Sequence, residues 1–194
     1  SPDGTRMAAV KVIQNVGKAR RLEIVVEATL SGDAIRTVPV AWEKIDALAF
    51  SPDAKRLVVS FRGEEGRGMA LVDTGNGDRI WTATRERGDP NLRTLTFSRD
   101  GRRIAGFAGG RERPIAFADS ATGELWIGEE HAKKLAENEK AAEEAKENED
   151  EAFVPWRPLK GLRSGWLRFS QDGDSVYTVG LGALAPRGWD IHTA

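Results

Sequence analysis

The 194-residue chain has no cysteine, only two histidines and no long apolar run. Without cysteine it can form neither a disulfide framework nor a thiolate metal site, so the redox compartment stays undetermined. His131 and His192 are too few and too far apart to predict a metal cluster or a Ser-His-Asp site. No apolar stretch approaches the roughly 18 residues that cross a bilayer, and no signal peptide opens the chain. We therefore expect no membrane among its partners.

Motifs of the common enzyme classes are also missing. The sequence has no G-x-S-x-G, no phosphate-binding P-loop and no G-x-G-x-x-G after a strand. Asp73, Asn76 and Asp78 are spaced like calcium ligands, but the glutamate that closes such a loop is missing, and a hairpin turn explains the spacing. The sequence therefore predicts no catalytic residue, no metal and no cofactor, and favours a protein that is not an enzyme.

Charge is balanced over the whole chain but unevenly distributed along it. Residues 129–151 hold ten acidic residues and four lysines, a net charge of −6, and the remainder carries +5. This segment is rich in Ala, Glu and Lys and has no Gly or Pro, which favours helix, but its apolar residues are nearly all alanine. We predict a solvated insertion that is helical or disordered, with a partner-binding arm as the alternative.

A tetrapeptide recurs four times along the chain. The copies are Ser1-Pro2-Asp3-Gly4, Ser51-Pro52-Asp53-Ala54, Ser98-Arg99-Asp100-Gly101 and Ser170-Gln171-Asp172-Gly173. Three of them follow an apolar-x-Phe run, and they are spaced by 50, 47 and 72 residues, the last interval becoming 49 without the 23 residues of the insertion. A regular period of this length indicates one repeated supersecondary unit.

Each unit is predicted to consist of short strands joined by turns. The tetrapeptide has turn chemistry, because Pro presets φ, Asp accepts a nearby N–H and Gly adopts positive φ without strain. If the fourth position is left-handed, Ala54 costs roughly 1 kcal/mol there. Apolar strands are expected directly afterwards, at residues 7–10, 57–61, 104–107 and 176–179. Hairpins are expected later in the units, at residues 31–33, 76–78 and 121–124.

Four strands per unit, this period and these turns resemble the blades of β-propellers of the WD-repeat and related Ser-Pro-Asp-Gly type. The resemblance implies an all-β propeller segment of about four blades, two complete and two partial, with 3, 4, 4 and 3 strands. Blades one to three would occupy residues 1–128, the insertion residues 129–151, and the return segment with the partial fourth blade residues 152–194. The sequence departs from the strict WD pattern, since only Trp189-Asp190 supplies the Trp-Asp pair and no Gly-His occurs. A β-solenoid and an open sandwich are the alternatives.

Four blades are fewer than such propellers usually have. We therefore expect the chain to be part of a longer protein, or to close its ring with a partner chain or by self-association. The resemblance implies a scaffold that binds a protein or peptide.

One face of the propeller is predicted to carry the binding residues. If the blades are phased correctly, the loops between the second and third strands and after the fourth strand share one face, where loops of this kind commonly bind partners. The arginines predicted there are Arg20, Arg21, Arg62, Arg67, Arg85, Arg87, Arg111, Arg113 and Arg187, together with Lys18. Converging arginines suit an acidic peptide or a phosphate, although ordinary solvated surface is the simpler interpretation.

The opposite face is predicted to be acidic, with Asp33, Asp78 and Glu124 in its turns. Binding of nucleic acid is disfavoured, because no stacking aromatic residues interleave with the arginines. The alternative function is a part of a propeller enzyme, hydrolase or quinoprotein-like, whose active residues lie outside this chain.

Overall fold

Fourteen β-strands and no helix make up the part of the chain that the structure describes. In this computed structural model that part comprises residues 1–16, 19–64, 66–85, 92–108, 115–127, 165–173, 175–180 and 187–190. The strands are β1 (Arg6–Val16), β2 (Ala19–Ala28), β3 (Ala34–Val40), β4 (Lys44–Phe50), β5 (Arg56–Gly63), β6 (Gly66–Asp73), β7 (Arg79–Arg85), β8 (Leu92–Phe97), β9 (Arg103–Ala108), β10 (Ile115–Asp119), β11 (Leu125–Ile127), β12 (Gly165–Phe169), β13 (Ser175–Gly180) and β14 (Arg187–Asp190).

The strands form four antiparallel sheets that follow one another along the chain. Blade one is β1-β2-β3, blade two is β4-β5-β6-β7, blade three is β8-β9-β10-β11 and blade four is β12-β13-β14. The predicted all-β propeller segment is therefore confirmed, as are the strands predicted after each tetrapeptide, and the described residues form two four-stranded and two three-stranded sheets. The predicted acidic insertion, residues 129–151, lies outside the described residues.

Each tetrapeptide begins a six-residue turn that we call the repeat turn, at residues 1–6, 51–56, 98–103 and 170–175. In all four, the serine Oγ accepts the amide N–H of the sixth residue at 2.9 Å. The serine hydroxyl in turn donates to the aspartate Oδ1 at 2.5–2.6 Å. Because these bonds are local, the sequence of the turn alone is enough to specify its shape.

The fourth residue of every repeat turn is left-handed, as predicted. Gly4, Gly101 and Gly173 have φ values of 72°, 71° and 84°, and Ala54 has 55°. An alanine in this region costs roughly 1–2 kcal/mol. The Ala54 side chain is buried, so its methyl contacts offset part of that cost.

The blades pack face to face through alternating residues of the strand that follows each repeat turn. The first residue after the turn faces the preceding blade: Leu57, Ile104 and Val176 each belong to the core shared with that blade. The next residue faces the following blade, as Val58 and Ala105 show. This period of two buries both faces of a sheet, which explains the near-continuous apolar runs in the sequence.

A repeated hydrogen bond joins neighbouring blades at the turns. The arginine at the sixth position of one repeat turn donates to the carbonyl oxygen of the left-handed residue in the next. Arg6 contacts Ala54 at 3.1 Å, Arg56 contacts Gly101 at 3.3 Å and Arg103 contacts Gly173 at 3.0 Å. We call these bonds the arginine bridges. The left-handed residue therefore aims a carbonyl oxygen at the preceding blade as well as closing its own turn.

Candidate functional site

The structure places the predicted arginines of blade two at strand ends and not in a loop. Arg62 lies in β5 and Arg67 in β6, and these strands stay paired as far as Gly63 and Gly66. The prediction that both occupy a loop is therefore wrong. The hairpin is tighter than expected, because strand pairing continues until only two residues remain for the turn.

Four basic residues lie in one cross-strand row on blade two. The pairing register sets Lys44 opposite Arg62, Arg62 opposite Arg67, and Arg67 opposite Arg85. We call this set the cationic row. Residues directly opposite on antiparallel strands share a face of the sheet, and like charges in such pairs are destabilising. A row of four therefore calls for compensating negative charge.

Asp46 supplies part of that charge. Its side chain is only 5% exposed and lies 2.8 Å from Arg62 Nε and 2.9 Å from Lys44 Nζ. Burial raises the pKa of the Asp46 carboxyl, but the hydrogen bonds and positive charges of Arg62 and Lys44 outweigh burial and hold the pKa below its ordinary value. Asp46 is thus ionised at neutral pH and holds two of the four basic residues.

Packing and a backbone hydrogen bond support the position of Arg62. The Trp42 and Phe61 rings stack with centroids 4.2 Å apart, and both side chains are buried. The Glu43 amide also donates to the Arg62 carbonyl oxygen at 2.9 Å. The backbone that carries Arg62 is therefore held by a buried aromatic pair and a hydrogen bond.

The other predicted arginines are not brought together in the described part of the chain. Arg20 and Arg21 lie in β2 and pair with Asn15 and Gln14, and Arg187 starts β14 opposite Thr178. Lys18, Arg87, Arg111 and Arg113 lie outside the described residues. Only Arg62, Arg67 and Arg85 form a contiguous set here.

The predicted acidic residues of the opposite face lie where expected. Asp33, Asp78 and Glu124 occupy the turns between β2 and β3, β6 and β7, and β10 and β11, and all three are exposed. The calcium-like spacing is a hairpin turn, since Asp73 Oδ1 accepts the amides of Gly75 and Asn76 at 2.7 and 3.1 Å. No group of three or more potential metal-ligating side chains occurs among the described residues.

A cavity of about 520 Å³ opens at the repeat-turn end of the blades, which sequence reasoning missed. Its walls include the last residues of three inner strands, Phe50, Phe97 and Phe169. Its rim includes the second residues of all four repeat turns, Pro2, Pro52, Arg99 and Gln171. The repeat is the signal that could have revealed the cavity, because residues at equivalent positions of neighbouring blades line it together.

The cavity and the cationic row lie at opposite ends of the strands. β4 begins at Lys44 in the row and ends at Phe50 in the cavity wall. At about 3.3 Å per residue the two sites are about 20 Å apart. They are therefore separate candidate sites.

Comparison with known proteins supports the fold. No family model matches the chain, and no curated protein matches it in sequence. Among solved structures, Kuenenia stuttgartiensis hydrazine synthase is similar with a TM-score of 0.56 and 14% identity, over 98% of this chain and 56% of that one. TolB from Acinetobacter baumannii is similar with a TM-score of 0.52 and 17% identity, over 95% of this chain and 38% of that one.

These similarities extend to the fold and no further. Identities this low carry no inference of shared activity. The chain spans between about two fifths and three fifths of the length of these neighbours. A β-propeller is supported, whereas nothing in the comparisons identifies the blades as the WD-repeat type.

Within the described residues no helix is long and apolar enough to cross a membrane.

Proposed function

We propose that the chain is a β-propeller scaffold that binds an acidic segment of a protein partner along the cationic row. The observation that carries this proposal is the register that aligns Lys44, Arg62, Arg67 and Arg85 across all four strands of blade two. Asp46 holds only the first two. Arg67 forms no ion pair with another described residue, so it is left for a partner's carboxylate.

The surroundings of the row favour a short acidic segment over a polyanion. Glu43 and Glu64 are exposed beside the row, so the local surface is mixed in charge. A mixed surface weakens long-range attraction of a nucleic acid, which depends on neutralising many phosphates at once. It leaves recognition to particular arginine–carboxylate pairs, whose bidentate geometry gives specificity.

Charge reversal at Arg67 is the sharpest test. Arg62→Glu would leave the nearly buried Asp46 beside a new carboxylate and so disturb the sheet, whereas Arg67 forms no described ion pair. A fluorescently labelled peptide of alternating Asp and Ser is titrated with the 194-residue chain, and anisotropy is followed at rising salt. Arg67→Glu should weaken binding by at least about tenfold, and salt should weaken binding to the unchanged chain.

Two controls make the result specific. The exposed Arg79 carries the same charge away from the row, so Arg79→Glu should leave affinity unchanged. Reversing Asp33, Asp78 and Glu124 on the opposite face should also have little effect. Equal affinity of the unchanged chain and Arg67→Glu, or equal binding of the matching Asn and Ser peptide, would overturn the proposal.

A further inference from the structure

We infer that the cavity at the repeat-turn end binds an amphiphilic carboxylate, an apolar body that carries one carboxylate group. The cavity has about 520 Å³, within the range of pockets that hold small ligands or the terminal residues of a peptide. This site is separate from the cationic row and does not depend on the function proposed for that row.

The cavity walls favour a ligand with an apolar body. Seven of the thirteen lining residues are apolar, among them Phe50, Phe97 and Phe169. Phe97 is held in place, because its side chain is 8% exposed and the Arg56 guanidinium lies 6.0 Å from its ring centroid. Walls built from three equivalent strand ends present a largely preformed apolar surface, which favours a ligand with an apolar body.

Two arginines at the cavity favour a ligand with a negative charge. Arg99, in the repeat turn of blade three, and Arg168, in β12 of blade four, both line the cavity and are exposed. Within the described residues neither forms an ion pair with a carboxylate. No aspartate or glutamate lines the cavity. The cavity therefore has a positive rim.

The nearest acidic groups are already engaged within their own turns. Asp53, Asp100 and Asp172 follow directly after the lining residues of their repeat turns, and each accepts the hydroxyl of its own serine at 2.5–2.6 Å. Asp53 and Asp100 accept a backbone amide in addition. Because these bonds define the turns, the carboxylates are held by their own turns and not by the rim arginines.

One carboxylate fits the site better than a polyanion. Two arginines that line one cavity suit a carboxylate, because a guanidinium group donates paired N–H···O bonds to its two oxygens, while the apolar lining suits the body of the ligand. A multiply charged ligand would gain little from walls of phenylalanine and proline. Two sources share this chemistry, a free aryl or alkyl carboxylic acid and the C-terminal residue of a peptide.

The test uses matched small probes and the 194-residue chain. Calorimetric titration compares N-acetyl-phenylalanine with its neutral amide, which has the same body without the charge, and with acetate, which has the charge without the body. We expect the acid to bind at least about tenfold more tightly than either comparator. A tetrapeptide that ends in phenylalanine, as free acid and as amide, forms a second arm that distinguishes the two sources.

Substitutions locate the site. Arg99→Gln and Arg168→Gln should each weaken binding of the acid about fivefold or more, while Arg79→Gln, remote from the cavity, should not change it. Leu95→Phe should reduce affinity for the acid, because the larger side chain would occupy part of the cavity. Thermal melting of each variant establishes that it is folded before titration.

The outcomes are distinct. Equal binding of the acid and the amide, or full affinity in the Arg99→Gln and Arg168→Gln double variant, would overturn the inference, and so would no detectable binding of any probe. Tight binding of the tetrapeptide acid with weak binding of N-acetyl-phenylalanine would support a peptide C-terminus as the ligand. The reverse would support a free acid. None of these results bears on peptide binding at the cationic row.

Discussion

Arg56 and Ser120 donate hydrogen bonds to the same acceptor, the carbonyl oxygen of Gly101. The guanidinium Nη2 lies 3.3 Å from that oxygen and the hydroxyl Oγ lies 2.6 Å from it. Arg6 and Thr74 converge in the same way on the carbonyl oxygen of Ala54, at 3.1 and 2.8 Å. At both seams one donor comes from the preceding blade and one from the blade that owns the turn.

This sharing predicts a non-additive loss of stability. Arg56→Met and Ser120→Ala should each cost about 1 kcal/mol, because the carbonyl keeps its other donor. The double variant should cost more than the sum of the two, by about 1 kcal/mol, because the oxygen is then left without either donor. Urea unfolding measures all three, with Arg79→Met as the surface control. Strict additivity would show that the two donors act independently.

Two glycines with nearly the same φ should respond differently to alanine. Gly4→Ala places its methyl in open space, so its cost is the left-handed backbone alone, roughly 1–2 kcal/mol. At Gly101 the new Cβ would lie 3.1 Å from Arg56 Nη2 and 3.4 Å from Pro52 Cδ. Gly101→Ala should therefore cost more, because it also displaces an arginine bridge.

Denaturant unfolding of both glycine variants checks this prediction. If Gly101→Ala were no more destabilising than Gly4→Ala, the bridge at Gly101 would contribute nothing. Ala54→Gly provides the reverse comparison, since it removes the strain and a buried methyl together.

The repeat turns should make the fold sensitive to acid. The Ser1 hydroxyl, followed by the Thr5 amide and hydroxyl, lowers the pKa of Asp3 from 3.8 to about 2. Hydrogen bonds, from Ser51 first at Asp53 and from Ser98 first at Asp100, lower the pKa of both those carboxyls. With folded pKa values below the unfolded ones, this stabilisation is complete above about pH 4 and is lost as the pH falls towards 2.

Unfolding measured across that pH range tests the acid sensitivity. In the Asp53→Asn and Asp100→Asn double variant, stability should fall less steeply between about pH 4 and pH 2. Asp33→Asn is the matched control, because in the described structure its carboxylate accepts no hydrogen bond. An unchanged slope in the double variant would contradict the assignment.

The inner edge of blade one should promote self-association. β1 is an edge strand of eleven residues in its sheet, and Val12 and Ile13 on it are 55% and 51% exposed. Exposed edges of this kind pair readily with other chains. Light scattering should show a mass that rises with protein concentration, and Val12→Lys with Ile13→Lys should reduce the rise. A monodisperse monomer at all concentrations would show that this edge does not associate.

The fold was predictable because its signals are local. The serine, aspartate and left-handed residue of each repeat turn bond mainly within six residues, so the sequence alone revealed the turns, the period and the 3, 4, 4 and 3 strands. The arginine bridges join positions 45 to 70 residues apart. The arginine recurs at the sixth position of three turns, but the neighbouring sequence does not identify the carbonyl oxygen to which its side chain donates.

The candidate sites were less predictable, because they depend on contacts between residues that are distant in the sequence. The blade phasing placed Arg62 in a loop, whereas the continued pairing of β5 and β6 that keeps it in a strand depends on the whole sheet. Its partner Asp46 lies on another strand, beside an irregularity between Ile45 and Ala47. The cavity gathers residues from Pro2 to Gln171, so its walls exist only once four blades are packed.

The arginine bridges give the array of blades a direction. The donor always belongs to the earlier blade and the acceptor to the later one, as for Arg103 and Gly173. Blades two and three have both the arginine at the sixth position and the left-handed residue at the fourth position of the repeat turn. Such a blade can accept a bridge from the blade before it and donate one to the blade after it, so it can occupy an interior position in the array. Blade four has Ser175 at the sixth position, so it can receive a bridge but cannot extend one. Duplicating blade three should accordingly lengthen the array in register, whereas a copy of blade four placed in its interior should leave one seam without its bridge.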